Sequence, residues 1–180
     1  MTETNSDHDE QAAQNEALRN AVIVGMQPTQ SPRVIHEAIR YAKLLDAPLV
    51  VVHVDVTRFV TYEDPDGYVH SAPIDINVDA GAAEFAEVQA LAEGLLADAG
   101  VTWTARQLVG DPALAIKQLA NRLDAQLIVV GTRKPGFGET VRQFFTGSVA
   151  ARLAHRQHRP LLVVPQDEPS VKDHEVLFPE

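Results

Sequence analysis

The sequence predicts an α/β domain built on a five-stranded, open, doubly wound parallel sheet, and three observations carry that prediction. Short apolar, β-branched runs alternate with amphipathic stretches along the chain. Helix-start chemistry, Ser31-Pro32 and Asp111-Pro112, follows the first and third of those runs. The 180 residues are 45% hydrophobic and 22% charged, a composition that suits one globular core.

Residues 1–19 are polar and acidic, and are expected to form a disordered tail with a short helix around Gln11 to Leu18. The domain proper is expected over 20–165, with a second acidic tail over 166–180. Its first strand is Ala21 to Gly25. In the helix after Pro32, Ile35, Ala38, Ile39, Ala42 and Leu45 recur at spacings of three and four and form one apolar stripe. Leu49 to Val54 is apolar apart from His53, the pattern of a central strand covered on both faces.

Asp55 to Asp79 reads as a long irregular excursion, because Asp64-Pro65-Asp66-Gly67 is turn chemistry and Pro73 breaks any element after it. A second helix spans Gly81 to Ala97, with Phe85, Val88, Ala92, Leu95 and Ala99 in phase and Gly100 closing it. Val101 to Val109 alternates like an edge strand. The helix opened by Pro112 carries the stripe Ile116, Leu119, Ala120 and Leu123. Leu127 to Val130 is the fourth strand, Ser148 to Arg156 a short last helix, and Leu161 to Val164 the last strand, stopped by Pro165. Strict alternation of strands and helices implies right-handed crossovers, and a ligand is expected beyond the carboxyl ends of the strands.

Charge and composition exclude several roles. Without cysteine there is no disulfide framework, thiol catalysis or cysteine-held metal. A net charge of −10 argues against duplex nucleic acid as a partner. The segment Gly131 to Arg159 is nevertheless +5, through Arg133, Lys134, Arg142, Arg152, Arg156 and Arg159 against Glu139 alone, which leaves −15 elsewhere. No apolar run reaches the roughly 18 residues that a membrane span requires. The start of the chain lacks the basic and apolar stretches of a secretory signal, so a cytoplasmic location is expected.

The segment richest in chemistry is Val129-Val130-Gly131-Thr132-Arg133, its loop, and then Thr146-Gly147-Ser148-Val149. A strand ending in glycine and a helix starting at Gly-Ser gather free backbone N–H groups and a positive helix end, an arrangement that suits phosphate. The same residues also fit a tight turn in which Ser148 only caps the helix. Other constellations are weaker. His155 and His158 have metal-compatible spacing but no acidic partner nearby in sequence, and read as a surface pair. His53 reads as a buried structural histidine and Trp103 as core or edge packing. A triad of Ser148, His155 and Asp111 lacks the Gly-x-Ser-x-Gly elbow. No P-loop or dinucleotide fingerprint appears, and no metal site is expected.

Taken together, Leu127-Ile-Val-Val-Gly131-Thr-Arg, Gly147-Ser-Val-Ala-Ala-Arg-Leu and Arg159-Pro-Leu-Leu-Val-Val-Pro165 resemble the fourth strand, phosphate loop and last strand of the universal stress proteins. Ala21-Val-Ile-Val-Gly25, Leu49-Val-Val-Val-His-Val54 and Leu108-Val-Gly-Asp-Pro-Ala113 resemble their first three strands, so the likeness runs from about residue 21 to 165. It implies an adenine nucleotide alpha hydrolase-like, Rossmann-like architecture. By position it implies Val54 beside an adenine, Val130 and Gly131 near the ribose and first phosphate, and Gly147, Ser148 and Val149 around the outer phosphates.

Two departures stand out. The aspartate that ends the first strand in ATP-binding members is Gln27 here, whose amide still donates and accepts. The second motif glycine is Lys134, and twelve residues, not nine, separate it from Gly147. Arg133, Lys134 and Arg142 supply cations in or beside that loop, either for a polyphosphate or as solvated charges. The resemblance implies a regulatory module that binds ATP and pairs as a homodimer through Leu161 to Val164, an apolar edge. One alternative is a dimer of the same fold that acts through protein partners without nucleotide. Another, slow ATP hydrolysis, lacks an evident general base or a carboxylate cluster for magnesium.

Overall fold

The computed structural model describes residues 12–56, 59–63, 69–73, 78–132 and 149–166, with backbone alone for 59–63, 69–73 and 78–79. A short helix, α1, covers 12–17. After it come β1 (Val22–Gly25), α2 (Pro32–Leu44), β2 (Leu49–Asp55), β3 (Phe59–Glu63), β4 (Val69–Pro73), α3 (Val78–Leu96), β5 (Trp103–Val109), α4 (Pro112–Arg122), β6 (Leu127–Gly131), α5 (Val149–Arg156) and β7 (Leu161–Val164).

Five strands form one parallel sheet in the order β5-β2-β1-β6-β7. The chain winds outward from β1 in one direction to β5, returns, and continues from β6 to β7. The strand order therefore reverses between β1 and β6, the place where doubly wound sheets open a crevice. β2 is buried, as its apolar run predicts, and so are β1 and β6, because helices cover both faces.

Alternation along β1 sends Val22 and Val24 to the layer that holds α2 and α3, and Ile23 to the layer of α4. Each layer has its own cluster. Of the expected stripe of α2, Ile35, Ala38 and Ala42 are buried in the first cluster and Ile39 packs against it, and Val34 joins them. Leu45, past the end of the helix, is 39% exposed. All four expected residues of α4, Ile116, Leu119, Ala120 and Leu123, are buried in the second. Trp103 is half-buried on the edge strand and packs against the first cluster.

The helix starts obey their local chemistry. Ser31 Oγ accepts from the Arg33 N–H at 3.4 Å ahead of Pro32, and Asp111 Oδ1 accepts from the Leu114 N–H at 2.9 Å ahead of Pro112. Gly100 takes φ +62° just after α3, where a side chain would be strained.

Part of the Asp55 to Asp79 segment departs from the irregular excursion expected of it. β3 and β4 pair antiparallel, with Phe59 opposite Pro73 and Glu63 opposite Val69. Phe-Val-Thr-Tyr is strong strand chemistry, and Pro73 sits at the last pair, where a missing N–H costs the ladder least. The residues 64–68 that join the two strands lie outside the described residues. α3 starts at Val78, ahead of the expected Gly81.

Candidate nucleotide-site crevice

The site is assembled by the loops that leave β1, β6 and β7 at their carboxyl ends. After Gly25 the chain stays pinned to the sheet, since the Met26 N–H donates to the Val52 carbonyl at 2.8 Å. His53, buried one residue on, holds the same turn: its Nδ1 lies 3.3 Å from the Met26 carbonyl and its Nε2 lies 3.3 Å from a Glu84 carboxylate oxygen. It is a structural histidine, as its place in a central strand suggests.

Glutamines close the loops. The Gln27 N–H donates to Gln30 Oε1 at 3.0 Å, and Gln30 Nε2 donates back to the Gly25 carbonyl at 3.3 Å, so one side chain stitches the β1–α2 turn. Gln166 ties three segments. Its Oε1 accepts from the Ser31 N–H at 3.1 Å, its own N–H donates to Thr132 Oγ1 at 3.1 Å, and its Nε2 donates to the Thr132 carbonyl. Gly131 lies beneath this lattice, where a β-carbon would stand 2.7 Å from Gln30 Nε2 and 2.9 Å from Gln166 Nε2. Gln166, expected at the start of an acidic tail, is thus tied to the loops after β1 and β6. No sequence signal announced it: the link follows from the sheet register, in which Gly131 pairs with Val164, so that Thr132 and Gln166 come just after the paired residues.

Beyond the crevice lies a cavity of about 700 Å³ between the sheet, α4 and α5, within the size range of small-molecule sites. Gln27, Val54, Val130, Gly131 and Val149 all line it, brought together from several elements and a loop. Arg133, Lys134, Arg142, Gly147 and Ser148 lie outside the described residues. Sequence reasoning missed much of the wall: Ile116 and Pro112 from α4, Ala150 and Ala154 from α5, and Gln30, Thr132 and Gln166 at the rim. The small residues of α5 leave room above the sheet, which no motif announces. None of the described residues that line the cavity is ionisable.

A model of the universal stress protein family matches residues 19–165. The chain belongs to the universal stress protein family. Solved universal stress proteins share its fold. One from Archaeoglobus fulgidus is 22% identical with a TM-score of 0.59, the match covering 80% of this chain and 97% of that one. Another, solved in complex with cAMP, is 23% identical with a TM-score of 0.56 over 83% and 99% of the two chains. A third, from Archaeoglobus fulgidus in complex with dAMP, is 20% identical with a TM-score of 0.56 over 82% and 98%. No curated protein matches the sequence.

In this universal stress protein the other candidate constellations separate. Asp111 caps α4 and also accepts from Arg152 Nη1 at 2.5 Å, so it is held by α5 rather than by a histidine. His155 and His158 are exposed. Among the described residues no three His, Asp or Glu side chains gather to hold a metal ion. No described helix is long and apolar enough to cross a membrane.

Proposed function

We propose that this universal stress protein is a regulatory module that binds an adenine nucleotide, ATP, at the carboxyl ends of its strands and works as a homodimer. The observation that carries the reading is the cavity of about 700 Å³ at the reversal between β1 and β6. It gathers Gln27, Val54, Val130, Gly131 and Val149 around one space, and strand reversal is where such sheets bind ligands. Similar proteins solved with cAMP and dAMP support the same class of ligand. The nucleoside half fits: apolar walls from Val54, Ile116 and Val130 can cover a base, and the amide of Gln27 offers it hydrogen bonds. The phosphate half would rest on Gly147, Ser148 and the cations Arg133, Lys134 and Arg142, whose charge favours a polyphosphate on an acidic protein. The homodimer would form through β7, an edge strand of the sheet.

One observation favours the alternative of a partner-binding dimer without nucleotide. Gln30 and Gln166 already cover Gly131, so the close backbone approach that a glycine allows is used by the protein's own amides. Native mass spectrometry of gently purified protein, followed by calorimetry with ATP, separates the two. Co-purified nucleotide and saturable ATP binding are expected; protein that carries none and does not bind ATP would leave the partner-binding dimer.

A further inference from the structure

The cavity is lined by three glutamines at its polar end, and they are not equivalent. Gln30 uses both ends of its amide within the β1–α2 loop, and Gln166 uses both ends on Ser31 and Thr132. The side chain of Gln27 makes no hydrogen bond among the described residues, and the residue is exposed. The backbone beside it is committed as well: the Gly25 carbonyl to Gln30, both Met26 polar groups to Val52 and His53, and the Gln27 N–H to Gln30. Among the described residues, the side-chain groups left to address a ligand at this end are therefore the Gln27 amide and the hydrogen of the Thr132 hydroxyl, and of the two only the amide offers a donor and an acceptor side by side.

An amide presents one donor and one acceptor side by side, and turning it over exchanges them. Adenine shows an amine donor beside the N1 acceptor. Hypoxanthine shows a 6-oxo acceptor beside the N1–H donor. A free amide matches both edges, whereas a carboxylate, which only accepts, pairs with one group of each edge and faces the other with repulsion. Shape does not separate the two bases, and no ionisable side chain in the described lining favours either edge by charge.

From these observations we infer that the cavity takes 6-oxopurine as well as 6-aminopurine nucleotides, with the side chain of Gln27 reading the base edge. The inference rests on the nucleotide reading above and sharpens it.

Calorimetry on the full chain with ATP, ITP and purine riboside 5′-triphosphate tests it. Wild type is expected to bind ATP and ITP within about threefold of each other and purine riboside triphosphate about tenfold more weakly, because that base lacks one of the two paired groups. Gln27→Leu should cost ATP and ITP about tenfold each and the unsubstituted purine less than about threefold. The variant removes no side-chain hydrogen bond among the described residues, so an unchanged melting temperature is expected alongside. Tight ATP binding with ITP rejected tenfold or more would overturn the inference and leave the nucleotide reading standing. Equal losses for all three ligands in Gln27→Leu would reduce Gln27 to a piece of wall, which also overturns it. If wild type binds none of the three, the nucleotide reading and this inference fall together.

Discussion

Gly131 and Gly81 show what one absent β-carbon does in this fold. At Gly131 the space is taken by the tips of Gln30 and Gln166, with Val34 Cγ2 3.0 Å from where the carbon would be. Amide tips can move, so Gly131→Ala is expected to fold but to lose about 1–2 kcal/mol as the glutamine lattice loosens. At Gly81 a β-carbon would run into the carboxylate of Asp55, which is fully buried and far less free to give way. Gly81→Ala should therefore cost more, about 2–3 kcal/mol. Urea unfolding of both variants checks the order; a Gly131 variant as damaged as the Gly81 one would mean the glutamines are rigid. Neither collision was legible in the sequence, since each pairs a glycine with residues far away along the chain.

Elements were readable where they announce themselves locally. Ser31-Pro32 and Asp111-Pro112 start helices because a side-chain oxygen and a fixed φ solve the same end problem wherever they occur. The partner of Asp111 was not readable. Arg152 on α5 reaches it, so one buried carboxylate both caps α4 and anchors the helix that comes after the glycine-bearing loop. Asp111→Ala removes both and should cost about 2–3 kcal/mol, whereas Arg152→Ala leaves the cap and should cost about 1 kcal/mol, its guanidinium being partly in water. A double-mutant cycle in urea checks this: the double variant should be no less stable than Asp111→Ala alone. The β3–β4 hairpin is the converse lesson. Its turn residues and Pro73 suggested irregular chain, yet the same residue types also link and end strands, and only pairing decides between the two.

At the scale of the whole molecule, charge and edges set the expectations. The +5 segment from Gly131 to Arg159 contrasts with −15 elsewhere, and solvent-exposed cations lose their attraction as salt rises. If Lys134 and Arg142 hold the phosphates, Lys134→Ala with Arg142→Ala should weaken ATP far more than adenosine. Raising salt should weaken ATP on the wild type in the same direction; calorimetry at two salt concentrations reads both, and equal ATP affinity in the double variant would leave these residues as solvated charges. β7 ends the sheet with Val163 38% exposed. A second copy pairing there would give twice the monomer mass in light scattering, and Val163→Lys should return the monomer by placing a charge on the edge. A wild-type monomer at micromolar concentration would remove the homodimer.

Composition, hydrophobic period and capping chemistry by themselves determined the α/β class, the five sheet strands and most of the core, because those signals depend on neighbours in the chain. Ile116, Leu119, Ala120 and Leu123 were assigned to the core from spacing alone and are buried there. The resemblance of short segments added the family and named Gln27, Val54, Val130, Gly131 and Val149, which line the same cavity. Tertiary structure alone decided that Gln30 and Gln166 are spent on the loops while the side chain of Gln27 makes no hydrogen bond among the described residues. It also decided that the alanines of α5 line a cavity and that Gln166 lines it too. The physical reason is that hydrogen bonds and cavities depend on distance in space, and here the partners stand as much as 135 residues apart in sequence.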